Sequence, residues 1–545
     1  MSAVQHHRAV IAAAAALLCI GGLVQRAAAE TELQAHLRNR IEAGLSSDSL
    51  TVMDEPIYAR ETIRSVYPER DYAPIWIDAR GLNRRGERLL DWLADVIPEH
   101  GLHAADYHVN AVEALENADG IGALVDMELA LSDAFLLAGS DLLSGRLNAE
   151  TLGPEWIAMP RRRDLAAVLT DAATRTDPGA VLEGLQPRDP RYRRLADRLA
   201  ALRRLRDAGG WLAVEPGPTL REGDSGPRVD ELIRRLAASA DLTQQADSFD
   251  ADVRAAVQGF QRRHGLEPDG AVGPVTLEAL NVPVQARIDQ IIVNLERWRW
   301  LPETLGERYV AVNIAAFQLT AVDAGRPVLS MRVVVGRPYR RTPVFSGTIS
   351  YLVLNPDWEV PKTIAVQDEL PLIKRDPGYL AEQHFTLLSG WGAEERVIDP
   401  ASVDWSRVTA GNFGYRLRQA PGPNNALGRI KFMFPNEFSV YLHDTPTRAL
   451  FAKESRSFSS GCIRLERPLD LAEWLLADDP AWGRVAIEQA IGRGTQQTVR
   501  LQRPTPVHLL YWTAWVDDQG ELNFREDIYG RDTPVLRELR EAPRR

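Results

Sequence analysis

The chain has 545 residues, 45% hydrophobic and 26% charged, which is apolar material for roughly three or four separate cores. That balance excludes a fibrous or disordered chain. A formal net charge of −11 argues against nucleic acid or an anionic membrane surface as main partner and favours a neutral or cationic ligand.

In chain order, His6, His7 and Arg8 precede an apolar stretch from Ala9 to Val24, and Ala27-Ala28-Ala29 offers a small-residue cleavage site before Glu30. The pattern predicts an export leader over 1–29. An uncleaved membrane anchor is the alternative, although the stretch is short for a spanning helix. Cleavage would remove Arg8, Arg26 and Cys19, making the chain two charges more negative and leaving Cys462 as its single cysteine. No disulfide framework is then possible, and an unpaired thiol in an exported protein is open to oxidation unless it has a use or is buried.

Residues 30–212 read as helical, with Leu89, Trp92, Leu93 and Val96 at helical spacing and a second long candidate from Leu129 to Leu143. His100, His103 and His108 cluster there without carboxylates at ligand spacing, which points to solvated imidazoles rather than a zinc site. Between 216 and 283, Val229, Leu232, Ile233 and Leu236 fit one helix, and Val253, Ala256, Val257 and Phe260 fit another after an Asp250 cap. His264-Gly265 then suits a left-handed helix end, and Gly273-Pro274 opens a third helix. Residues 284–305 hold an amphipathic connector helix.

Strand alternation follows in Val310, Val312 and Ile314, again in Leu329, Met331, Val333 and Val335, and over Ile349 to Leu354. The interval from about 361 to 418 shows weak periodicity around Trp391 and Trp405. Its length suggests a lid. Residues 496–545 read as a C-terminal hairpin and tail.

The chemistry is expected at Cys462. In Ser439-Val440-Tyr441-Leu442-His443, strand alternation sends Val440 and Leu442 to one face and Tyr441 and His443 to the other. Gly461 before Cys462 permits close backbone approach, so amides around Gly461 and Cys462 can face a developing oxyanion. His443 would take the thiol proton and populate a thiolate below the ordinary value of about 8.5. A papain-like protease is the competing reading, but its local signature is absent and its cysteine precedes its histidine.

Leu220-Arg221-Glu222-Gly223-Asp224-Ser225-Gly226, Phe260-Gln261-Arg262-Arg263-His264-Gly265-Leu266 and Asp269-Gly270-Ala271-Val272-Gly273 resemble the three-helix peptidoglycan-binding domain. Asn425-Ala426-Leu427-Gly428, Phe434-Pro435-Asn436, His443-Asp444-Thr445 and Ser459-Ser460-Gly461-Cys462-Ile463-Arg464 resemble the catalytic domain of L,D-transpeptidases (YkuD-type). Asn355-Pro356, Val360-Pro361, Tyr415-Arg416-Leu417-Arg418-Gln419 and Pro421-Gly422 match as well. The large Gram-negative members carry a helical scaffold domain, a peptidoglycan-binding domain and a lidded catalytic domain. The implied architecture is therefore multidomain α+β: scaffold over 30–212, wall-binding module over 216–283, and a mainly-β catalytic domain over 306–495. Ser460 stands where the commonest motif has a second histidine, and Asp444 where many relatives have glycine. Asp444 either orients His443 or caps a turn, with the turn favoured.

The resemblance implies that Cys462 attacks the third stem residue of a donor tetrapeptide, releases D-alanine and leaves a thioester, which a second stem's amine resolves into a 3→3 cross-link. His443 would move the proton, Gly461 would supply the oxyanion-hole backbone and Ser460 would support the motif. Tyr441, Arg464, Asn425, Tyr415 and Trp405 are expected to meet substrate, with Arg464 either on a substrate carboxylate or paired structurally to Glu466. No metal or organic cofactor is needed. The implied partners are peptidoglycan stem peptides and the sacculus, in the periplasm, without nucleic acid and without stable membrane insertion once the leader is cleaved. A related hydrolase using water on the same thioester and a noncatalytic wall-binding protein remain the alternatives.

Overall fold

The computed structural model describes residues 29–43, 50–153 and 155–541. The expected leader and Cys19 lie, except for Ala29, outside the described residues. Among those described, no helix is long and apolar enough to cross a membrane.

The helical region is organised around Ile121–Ser144, which is buried on nearly every side because its sequence is apolar almost all round. Its polar residues are satisfied internally. Glu128 accepts from the Tyr67 hydroxyl at 2.5 Å and from the amides of Ile75 at 2.6 Å and Trp76 at 2.9 Å. Two of the three clustered histidines depart from the solvated reading. His108 is buried between Asp133 at 2.8 Å and Glu55 at 2.7 Å, carboxylates supplied by distant segments that local spacing cannot reveal. His100 is buried against the Tyr192 hydroxyl at 3.0 Å, and burial lowers its pKa to about 3.

Helices Pro227–Ala238, Ala251–His264 and Pro274–Leu280 share one core built on Val229, Leu232, Val253, Val257, Phe260 and Leu280. Asp250 accepts from the amides of Asp252 and Val253, and Gly265 ends the second helix at φ 72°.

The connector helix Val284–Arg299 differs from its amphipathic reading, because its polar face is buried too. Asn294, Glu296, Arg297 and Arg299 are at most 2% exposed. Each has a partner from elsewhere in the fold or on the helix itself. Asn294 donates to Thr513 at 2.8 Å, Arg297 meets Asp532 at 2.7 Å, and Arg299 pairs with Glu296 at 2.5 Å while donating to the His100 carbonyl. Glu296 also accepts from the Leu147 amide at 2.8 Å. The helix thus bonds the helical region to the C-terminal segment.

The main sheet has nine strands: β1 Tyr309–Asn313, β2 Gln318–Asp323, β3 Arg326–Gly336, β4 Phe345–Leu354, β5 Ile430–Met433, β6 Leu442–His443, β7 Ser457–Ser459, β8 Ile463–Leu465 and β9 Gln497–Leu510. Their order is β7-β3-β8-β6-β5-β4-β9-β1-β2, and β2 also pairs with β3, so the ladder returns on itself. Strand β9 corrects the expected C-terminal tail, since it lies inside the sheet between β4 and β1. Pro504 and Pro506 hide it in the sequence. The register shifts between Arg500 and Thr505, where the irregularity accommodates Pro504, while Pro506 stays in register opposite Thr348. The expected hairpin follows at Ala514–Val516 and Leu522–Phe524.

The lid interval is a folded unit rather than a loop. Strands Trp358–Glu359, Phe385–Ser389, Arg396–Val397 and Arg416–Gln419 form an antiparallel sheet, with a separate core of Val360, Leu370, Ile373, Leu387, Trp405 and Leu417. Strands of two to five residues are too short for their alternation to be legible.

The connector helix generates a stability prediction. Glu296→Ala should leave Arg299 as an uncompensated buried charge and cost about 3–5 kcal/mol in denaturant unfolding monitored by fluorescence. A loss below about 1 kcal/mol would show that the pair is not holding these segments.

Candidate active site

The site is set by two very short strands. Core pressure on Leu442 and Ile463, both fully buried, fixes β6 and β8 in parallel register, with Leu442 opposite Ile463 and His443 opposite Arg464. Side chains alternate across a strand, so Tyr441, His443, Cys462 and Arg464 emerge together on the other face. The Ile463 amide donates to the Tyr441 carbonyl at 3.1 Å, which extends this register to the Cys462 end. On the far side of β6, Lys431 of β5 pairs with His443 and therefore shares the face. Its ammonium lies 3.9 Å from the Tyr441 ring centroid, and the Tyr441 and His443 rings meet edge to face at 5.6 Å.

His443 is buried, and its Nδ1 lies 2.6 Å from the Asp444 carbonyl. A carbonyl only accepts, so Nδ1 carries the proton and Nε2 keeps the lone pair of a base. At Asp444 the backbone and the carboxylate do different things, and the carboxylate itself does not contact the imidazole. The backbone orients the imidazole, while the carboxylate accepts from the Arg429 amide at 3.0 Å and Nε at 3.2 Å. Gly428 makes room for it, since at φ 62° a Cβ there would lie 2.5 Å from Asp444 Cγ.

Cys462 is half-buried. Burial pushes its thiol up, against hydrogen bonds from Tyr441 and the positive charges of Lys431 and Arg464. Burial lowers the His443 pKa to about 3, assisted by the Arg464 and Lys431 charges and opposed by the Asp444 and Leu427 carbonyls. Desolvation wins for both groups, so the resting pair is a neutral thiol and a neutral imidazole. This corrects the thiolate expected below the ordinary cysteine value. Since unfolded histidine titrates near 6.5, the folded site is favoured above that pH and loses stability as the pH falls towards 3.

Gly461, at φ 115°, permits the turn into Cys462, but its amide donates to Ser459 Oγ at 3.2 Å and is not free for an oxyanion. Among the described residues, the amides of Ser460 and Cys462 have no backbone or side-chain acceptor. Those two replace Gly461 as the donors the loop offers. Thr342 donates to the Gly461 carbonyl at 2.8 Å and accepts from the Gly336 amide at 2.9 Å, tying this loop to the end of β3. Ser460 Oγ accepts from Arg340 at 2.9 Å.

Residues 307–496 match the model of the L,D-transpeptidase catalytic domain, residues 225–280 that of the "Putative peptidoglycan binding domain", and residues 61–199 that of the Scaffold domain. The chain carries an L,D-transpeptidase catalytic domain. A curated Haemophilus influenzae protein described as "Putative L,D-transpeptidase" is 36% identical over 246 residues, which cover 45% of this chain and 48% of that relative. The match thus spans about half the length of the curated relative. The solved L,D-transpeptidase (residues 123–326) of Xylanimonas cellulosilytica is 17% identical, covering 54% of this chain and 99% of that one, with a TM-score of 0.18. The L,D-transpeptidase (Yku) of Stackebrandtia nassauensis is 14% identical over 55% of this chain and 96% of that one, with a TM-score of 0.22.

The remaining expected residues of this L,D-transpeptidase domain divide sharply. Glu466 pairs with Arg332, not with Arg464, which removes the structural pairing considered for Arg464. Among the described residues Arg464 and Lys431 have no carboxylate partner, and Arg464 Nε is buried without an acceptor. Asn425 and Trp405 belong to the framework instead of a substrate surface. The Asn425 amide donates to the Pro356, Gln419 and Ala420 carbonyls, and its oxygen accepts from Leu427. Trp405 is buried in the lid core with its indole on the Pro400 carbonyl, and Tyr415 packs beside it at 5.9 Å. From the lid, Trp358 reaches the Tyr441 hydroxyl instead. Lys431 was missed by the sequence reading, although the alternation of Ile430, Lys431 and Phe432 marks it as facing away from the core. A separate cleft of about 890 Å³, lined in part by Trp298, Trp512 and Trp515, lies away from this cluster.

The neutral resting pair makes a kinetic prediction. Iodoacetamide alkylation of Cys462, followed by intact mass, should accelerate about tenfold per pH unit from pH 6 to 9, because the thiolate stays a minor species throughout. A rate already level below pH 7 would reveal a thiolate–imidazolium pair instead.

Proposed function

We propose that this chain is a peptidoglycan L,D-transpeptidase acting through a Cys462 thioester. The observation that carries the reading is the shared face of Cys462, His443, Tyr441, Lys431 and Arg464. His443 Nε2 takes the thiol proton as sulfur attacks the carbonyl of the third stem residue. The loop amides of Ser460 and Cys462 receive the oxyanion, and the proton passes to the departing D-alanine amine. A side-chain amine of a second stem then attacks the thioester, gives its proton through His443 to the sulfur, and leaves a 3→3 cross-link. The unpaired guanidinium of Arg464 and ammonium of Lys431 fit carboxylates of the stem peptides.

The domain order supports a wall-bound enzyme working outside the cytoplasm, with the 216–283 module holding the sacculus while the catalytic domain searches neighbouring stems. The lid over the site favours an amine over water as acceptor by limiting solvent.

Mass spectrometry of products from purified tetrapeptide muropeptides tests the reading. The wild-type chain should yield dimers joined 3→3 with loss of D-alanine, and Cys462→Ala should yield none while still sedimenting with sacculi. Tripeptides without dimers would replace the proposal with the hydrolase reading. Dimers from Cys462→Ala would overturn it outright.

A further inference from the structure

Arg340 is not used in the chemistry above, yet it joins two parts that the chemistry requires to act together. It lies between β3 and β4, 120 residues before Ser460 and 28 before Asp368. One guanidinium nitrogen donates to Ser460 Oγ at 2.9 Å and also meets Asp368. The other donates to Asp368 Oδ1 at 2.9 Å and to Gln367 Oε1 at 2.8 Å. The Arg340 side chain is only 14% exposed. Arginine suits this place because its planar fork holds a carboxylate with two nitrogens and still has a donor to spare, which lysine cannot match.

Both ends of this bridge are placed where geometry matters. Gln367 and Asp368 occupy the π-helical turn Ala365–Glu369 at the start of the lid, a widened turn frequent at functional sites. The turn packs into the lid's own core through Ala365, so Arg340 grips the lid through a segment that belongs to it. Ser460 precedes Gly461 and Cys462, and its own amide is one of the two free loop donors. A pull on Ser460 therefore reaches the nucleophile and the oxyanion donors at once.

We infer that Arg340 is a positioning residue that couples lid closure to the setting of the Ser460–Cys462 loop, an inference that rests on Cys462 being the nucleophile. With the lid down, Asp368 and Gln367 orient the guanidinium and the guanidinium holds Ser460. With the lid raised, the carboxylate leaves and the loop loses this restraint. Acylation is then efficient only beneath a closed lid, which links substrate enclosure to thiol competence.

The test is a double-mutant cycle in the full chain, with Arg340→Lys, Asp368→Asn, Ser460→Ala and the Asp368→Asn/Ser460→Ala pair. A carbapenem serves as strained acyl donor, and intact mass reads the Cys462 adduct. Each single variant should acylate about tenfold more slowly, with half-saturation little changed and melting temperature within a few degrees of wild type. The double variant should be no slower than the slower single, because both changes act through one guanidinium. Additive losses, unchanged rates, or losses that track a fall in melting temperature would each overturn the inference. If the wild-type thiol is alkylated by iodoacetamide but takes no carbapenem, the acyl-donor reading fails separately. The same cycle on alkylation then decides the Arg340 bridge, non-additive changes supporting it and additive or absent changes overturning it.

Discussion

The site depends on one two-residue ladder. The parallel pairing of Leu442 with Ile463 and His443 with Arg464 leaves little room for compensation, since so short a pairing has few backbone bonds of its own. Its register is enforced from below, where Leu442 and Ile463 belong to the same apolar core as Ile430, Phe432, Val333 and Leu465. A slip of one residue would turn His443 and Cys462 into that core and bring leucine and isoleucine to the surface. The neighbouring strands β5 and β3 clamp the pair from both sides, which is why a ladder too short to be stable alone can position a nucleophile.

The electrostatics follow from the same placement. Lys431 and Arg464 lie close enough to favour a thiolate, but the surroundings that bring them close also strip water from the sulfur and the imidazole. In a desolvated site the neutral pair is the cheaper resting state, and the cations remain available for an anionic ligand. Tyr441 feels the same burial, which raises its hydroxyl well above the ordinary range and keeps it protonated as a donor towards the sulfur. The same burial therefore disfavours charge separation between the thiol and the imidazole.

Sequence reasoning reached what local pattern encodes. The three-helix module, the left-handed end at Gly265 and the shared face of Tyr441 and His443 all follow from periodicity and turn chemistry within a few residues. The misses share a different cause. His108 is explained by Asp133 and Glu55, β9 by a register shift at Pro504, and the paired polar face of the connector helix by partners as distant as Thr513 and Asp532. Asn425 was singled out as a motif residue, yet its function in the fold is to hold three carbonyls. Motif membership alone does not separate a residue that touches substrate from one that shapes the loop beside it. The satisfied or unsatisfied state of its polar atoms adds a second criterion, and by that measure, among the described residues, Arg464 Nε and the amides of Ser460 and Cys462 are free to meet a ligand while Asn425 is not.

The raised pKa of the Cys462 thiol also bears on its susceptibility to oxidation. Oxidation to sulfenic acid, like alkylation, proceeds through the thiolate, so a site that keeps the sulfur protonated at rest slows both. Depressing the cysteine pKa permanently would make acylation easier but would leave Cys462 open to oxidants. The arrangement of Cys462, Lys431, Arg464 and Tyr441 resolves this conflict by separating the conditions for the two reactions. Burial disfavours the thiolate, and in the proposed reaction the neutral Nε2 of His443 removes the proton as a carbonyl is held against the sulfur. The register that puts His443 and Cys462 on one face of the sheet also buries both, so the placement that would let the imidazole activate the thiol is the one that disfavours its ionisation.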